Sequence, residues 1–78
     1  MNNFETHDLG LAAYLLTQGI ELDGTQADTE KRTTFFFQNS AELTPLYHQY
    51  WSNQALVNPI EYSFKIRFLK KLIFQAQR

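Results

Sequence analysis

The 78-residue chain contains no cysteine. That removes disulfides, thiolate zinc sites and a cysteine nucleophile together. Small secreted domains usually depend on such staples, so the expected setting is intracellular and cytoplasmic. The three glycines, Gly10, Gly19 and Gly24, are too scattered to form a phosphate-cradling loop. Apolar runs are short, far below the length of a membrane span, and no membrane partner is expected. The opening Met1-Asn2-Asn3-Phe4-Glu5 lacks the basic start and apolar run of a signal peptide. Neither charge is in excess: the formal net charge is −1. This withdraws the simplest argument for nucleic acid, a strongly basic domain, and leaves room for a local basic face.

What is present is globular in kind. Hydrophobic residues are 44% and charged residues 19%, unlike the low-hydrophobicity, high-charge signature of disorder. The length leaves room for one core, so residues 1–78 are expected to form one domain. Aromatics reach 15%, as seven Phe, four Tyr and one Trp. Large rings bury much area per residue and help a short chain form a core. Rings beyond what a small core holds, in a chain of near-zero net charge, predict self-association as a symmetric dimer.

The order of elements follows from periodicity. Residues 3–6 read as a short strand or an extended arm. Thr6 reads as an N-cap with Asp8 in the first helical turn. Leu9, Ala12, Ala13 and Leu16 then recur at helical spacing and predict a helix over 7–18. Gly10 inside that pattern suggests close packing, and Gly19 stands where a C-terminal glycine belongs. Ile20 to Asp23 alternates like a half-buried strand, residues 24–30 read as a surface loop, and Thr33 to Phe37 reads as a second strand. Three consecutive Phe require either two covered faces or an outward Phe36 between buried Phe35 and Phe37.

Asn39-Ser40-Ala41-Glu42 fits a capping box, predicting a helix over 41–52 that Pro45 disturbs near its start, or that restarts at Pro45 with Thr44 as cap. In the last segment Tyr62, Phe64, Ile66 and Phe68 alternate as in a strand. Asn58-Pro59-Ile60-Glu61 is nevertheless a strong helix start, and Tyr62, Ile66, Leu69, Ile73 and Ala76 share one helical face. The pattern is also too long for an ordinary strand, so helix is expected over 59–76. The fold class is therefore α+β: a β-hairpin packed against three helices in the order α-β-β-α-α, with a short N-terminal strand as an option.

Phe4-Glu5-Thr6, Asp8-Leu9, Leu11-Ala12-Ala13-Tyr14-Leu15-Leu16, Gly19, Thr34-Phe35-Phe36-Phe37 and Leu69-Lys70-Lys71-Leu72-Ile73-Phe74 occur in an order that resembles domain-of-unknown-function family 5659. The resemblance covers nearly the whole chain. It implies a bacterial or phage origin, often among mobile-element genes, and brings no activity or site residues.

No nucleophile, base and orienter set can be assembled, so no enzymatic activity and no cofactor is expected. His7 lies beside Asp8 and near Glu5 without ligand spacing, and reads as a solvated helix start. His48, between Tyr47, Tyr50 and Trp51, lacks a partner acid and reads as a surface or half-buried structural residue. Glu21, Asp23, Asp28 and Glu30 read as a solvated acidic loop without calcium spacing. The C-terminal helix gathers Arg67, Lys70, Lys71, Phe74 and Arg78 on one stripe. This stripe suits either a phosphate-and-base contact or an acidic protein partner, unless Phe74 is core and the cations are a solvated face. Tyr47, Tyr50 and Trp51 form a second candidate surface, a protein interface, although core is the first expectation for Tyr47 and Trp51. The expected function is protein–protein interaction by a small phage or mobile-element accessory protein, its partner another protein or a second copy. The alternative is nucleic-acid binding through the basic helix face.

Overall fold

The computed structural model describes residues 3–27 and 32–76. Three strands and three helices follow in the order β1 (Asn3–Thr6), α1 (Leu9–Thr17), β2 (Leu22–Ala27), β3 (Thr33–Gln38), α2 (Leu43–Trp51) and α3 (Pro59–Ala76). The α+β class and the helix–hairpin–helix–helix order hold, and the N-terminal strand is real. β3 is the centre of a three-stranded antiparallel sheet, with β1 on one side and β2 on the other. Both outer strands run against β3, so β1 and β2 run parallel to each other and α1 makes the crossover between them. Parallel strands cannot be joined by a tight turn, and here the crossover helix covers one face of the sheet, with β3 lying between the strands it joins. A two-stranded ribbon would have been marginal, and the third strand removes that weakness.

β3 sorts its three Phe by face. Phe35 and Phe37 are fully buried, while Phe36 is half-buried on the opposite side. Phe37 sits across from Phe4 and Leu22, and Phe35 across from Thr6 and Thr25, so all three strands contribute to the inner face. β2 continues through Gly24, Thr25 and Gln26, where composition suggested a loop. As an edge strand it is held by backbone pairing and needs few apolar side chains. A bulge between Leu22 and Gly24 shifts its register and leaves Asp23 exposed.

α1 is enclosed rather than amphipathic. Leu11, Ala12, Ala13, Tyr14 and Leu15 are buried in succession, because the sheet, α2 and α3 surround the helix. Its N-cap is Asp8, whose carboxylate accepts from the Leu11 N–H at 3.0 Å, and not Thr6. Thr6 Oγ1 accepts from the Asp8 N–H and ends β1 instead. At the other end Gly19 has φ 89°, and its N–H and that of Ile20 bond to Leu16 and Leu15 carbonyls, a Schellman closure. A non-glycine residue would meet the steric penalty of the left-handed region there.

The capping box at Asn39–Glu42 does not form. These residues make a turn closed by the Leu43 N–H on the Ser40 carbonyl, and α2 begins at Leu43 without a side-chain cap. Pro45 then falls in the first turn, where a missing N–H costs no helical bond. α2 ends through Asn53, with φ 62°, in a second Schellman closure. α3 starts as its sequence requires: Asn58 Oδ1 accepts from Ile60 and Glu61 N–H at 2.9 and 3.1 Å, ahead of Pro59 at the first helical position. Leu69 is fully buried, with Tyr62, Ile66, Leu72 and Ile73 packed beside it. The Ala76 side chain is outside the described residues.

Candidate functional site: the solvent face of the last helix

α3 is apolar on two sides. Its inner face joins the core, yet Ile60 is 66% exposed, Phe64 58%, Phe68 48% and Phe74 75%. Ile60, Phe64 and Phe68 fall at i, i+4 and i+8 and form one ridge. Arg67, Lys70 and Lys71 are exposed on the same helix. The Arg67 guanidinium carbon stands 5.7 Å from the centre of the Phe64 ring, a cation–π contact. Phe64, Arg67, Phe68 and Lys71 line a shallow hollow, the four-residue hole that a helix presents to a knob from a partner. The basic stripe thus exists on residues 67–74, and Phe74 belongs to solvent, not to the core. Arg78 lies outside the described residues.

Charge is segregated along the chain. Seven of its eight acids precede residue 58, and five of its seven cations follow it. A near-neutral total therefore conceals a cationic last helix on an acidic remainder. Of the acids grouped around the hairpin, Glu21 and Asp23 are exposed, while Asp28 and Glu30 lie outside the described residues.

Tyr47 and Trp51, expected first in the core, are both on the surface, Trp51 at 55% exposure. α2 has little of its face against the core: Leu43 is buried and Leu46 and Tyr50 pack partly. The Tyr47 ring meets Phe4 of β1 edge-on at 5.6 Å and Trp51 at 6.2 Å. Tyr50 is different in kind. It is half-buried, and its hydroxyl donates to Asp8 Oδ1 at 3.5 Å, so it is a structural member of the set.

That hydroxyl belongs to a polar junction of three helices. Tyr62 Oη donates to the Gly10 carbonyl at 3.3 Å, and Tyr14 Oη to Gln49 Oε1 at 3.1 Å. Burial first, and the Asp8 charge second, push both the Tyr50 and Tyr62 phenols above the ordinary value near 10. The folded chain therefore holds these protons more tightly than the unfolded chain. Their stabilising contribution is complete below about pH 10 and is lost as the pH climbs through the raised values. Urea midpoints measured from about pH 8 to 11 are expected to be flat first and then to fall, and Tyr50→Phe is expected to shallow that fall.

The two histidines have different surroundings. His7 Nδ1 lies 3.3 Å from the Thr33 carbonyl and 3.2 Å from Thr34 Oγ1, tying the end of β1 to β3 rather than standing free at a helix start. His48 is exposed, with its ring edge-on to Tyr47. Among the described residues no three His, Asp or Glu side chains come together to hold a metal ion. Among them, too, no helix is long and apolar enough to cross a membrane.

The profile of the family described as Domain of unknown function (DUF5659) matches residues 1–75. The chain belongs to that family. No curated protein and no solved structure matches it. In this DUF5659 chain the exposed ridge Ile60, Phe64 and Phe68 is what sequence reasoning missed. The signal was available: once Tyr62, Ile66, Leu69 and Ile73 face inward, residues 60, 64 and 68 are turned away from the core by the helical period.

Proposed function

We propose that this protein is a non-enzymatic binding module, of the phage or mobile-element accessory kind, that acts through protein–protein contacts on the outer face of α3. One observation carries the reading: Ile60, Phe64, Phe68 and Phe74 are all about half exposed or more on a single helix. Scattered surface apolar residues need no explanation, but a contiguous ridge of large ones marks an interaction surface. Aromatic side chains and Arg are also the residue types that anchor interfaces. The Tyr47 and Trp51 surface of α2 supplies further exposed rings. A photo-crosslinking amino acid placed at Phe68, in cells expressing the full chain, is expected to yield covalent adducts with protein. Adducts with nucleic acid alone would defeat the reading.

Phe74 favours a second reading. It is the most exposed ring of the helix and follows Lys70 and Lys71 by one turn. Cations for phosphates and a ring for stacking are what a single-stranded nucleic acid would use. With contacts from Arg67, Lys70 and Lys71, affinity would fall with salt at a log–log slope of roughly −2 to −3. Phe74→Ala would weaken that binding by ~1–3 kcal/mol and leave stability within about 0.5 kcal/mol, because the ring is outside the core. No binding at low salt would remove this alternative.

A further inference from the structure

The exposed seam of α3 is nearly a palindrome. Glu61, Phe64, Phe68 and Lys71 are spaced 3-4-3 and fall within about 80° of the helix circumference. All four are exposed. Their positions are symmetric about residue 66, with Phe64 and Phe68 inside and Glu61 and Lys71 outside. Reversing the helix direction about that point lays Phe64 on a second Phe68 and Glu61 on a second Lys71. The ring positions are self-matching, and the charges are matched only when the two helices run antiparallel. A parallel pair would set Lys71 on Lys71 and Glu61 on Glu61.

We propose that a second copy of this chain covers α3, through an antiparallel α3–α3 contact whose twofold axis crosses the exposed seam at the level of residue 66. This rests on the protein-binding reading of α3 and names its partner. Four observations point to the same occupant. The Phe64, Arg67, Phe68 and Lys71 hollow is a ready hole, and the ridge beside it supplies the knob, so one surface carries both halves of the contact. A twofold interface requires that self-complementarity. Among the described residues neither Glu61 nor Lys71 has an ionic partner, so each is available to the other copy. The rings of Phe64 and Phe68, 58% and 48% exposed, would also be removed from water by association. Antiparallel pairing further opposes the two helix dipoles, placing each cationic C-terminal half beside an N-terminal half that carries Glu61. Arg67 stays over its own Phe64, and Lys70 and Phe74 lie to one side of the seam, free of it.

The contact is small by the standard of stable dimers, so the dimer is expected to dissociate on the order of 10 μM. Sedimentation velocity of the full chain over about 1 to 200 μM is expected to show a shift from chain mass to twice chain mass. Glu61→Lys and Lys71→Glu are each expected to weaken dimerisation at least tenfold, since either sets like charges opposite each other twice. The double charge swap, Glu61→Lys with Lys71→Glu, restores the matched pairs and is expected to recover the dimer. Phe64→Ala with Phe68→Ala is expected to abolish it while the far-ultraviolet circular dichroism stays unchanged. A wild-type chain that remains monomeric throughout overturns the proposal, and so does a dimer unmoved by both single swaps. A monomeric chain that still crosslinks other proteins at Phe68 would lose the self-pairing and keep protein binding, whereas crosslinks to nucleic acid alone would remove both.

Discussion

Phe37→Ala is expected to cost about 3–5 kcal/mol, a large share of the stability of a chain of this size. The ring is fully buried on the central strand, across from Phe4 on one side and Leu22 on the other. Truncation loses the transfer energy of the ring and leaves a cavity that three strands and α1 cannot readily close. At 0.05–0.15 kcal/mol per residue, total stability is roughly 4–12 kcal/mol, so the loss removes a large share of it. The urea midpoint should fall by roughly 1.5 M or more. Phe36→Ala is the control. Its ring lies half-buried on the outer face, and its loss should cost under about 1.5 kcal/mol. Equal effects at the two positions would show that the faces of β3 are assigned wrongly.

Gly10→Ala is the second large effect, and its sign opposes helix propensity. In an open helix interior the change would stabilise by about 1 kcal/mol. Here the new Cβ would stand 2.5 Å from Tyr50 Oη and 3.1 Å from Tyr62 Oη. Both hydroxyls are at the tips of rigid rings that are packed partly into the core. Moving them strains the packing by ~1–3 kcal/mol and weakens the Tyr50 bond to the Asp8 carboxylate, itself worth ~1.5–3 kcal/mol. A net loss of about 1–3 kcal/mol is expected in thermal or urea unfolding. In a Tyr50→Phe background the same change should cost less by about 1 kcal/mol, because the nearer obstacle is gone. A rise in melting temperature on Gly10→Ala in the wild type would refute the close approach of the three helices.

Much of the fold was legible locally because its causes are local. Asn58-Pro59-Ile60-Glu61 starts α3 through a cap that acts over three residues, and Gly19 ends α1 through a backbone conformation that needs no distant partner. The capping box at Asn39–Glu42 failed for the opposite reason: a cap signal competes with the turn that brings β3 round to α2, and the turn prevailed. The polar half of β2 resembles a loop by composition because its strand state rests on pairing with β3, which its own side chains do not reveal. Residue type alone puts Tyr47 and Trp51 in the core, but burial is decided by what a helix packs against, and α2 packs by one edge only.

The sequence alone determined the number and kinds of helices, the inner face of α3, the outward Phe36 as one of two choices, and the cationic stripe. These follow from the 2.0 and 3.6 periods and from capping chemistry, each of which spans a few residues. Only the tertiary structure decided that β3 is central, that Gly10 is closed in by two tyrosine hydroxyls, and that Ile60, Phe64 and Phe68 remain uncovered. Those facts depend on which surfaces run out of partners in a small core. A chain of 78 residues holds more large rings than its single sheet and three helices can enclose, and the surplus lies on the outside of α2 and α3.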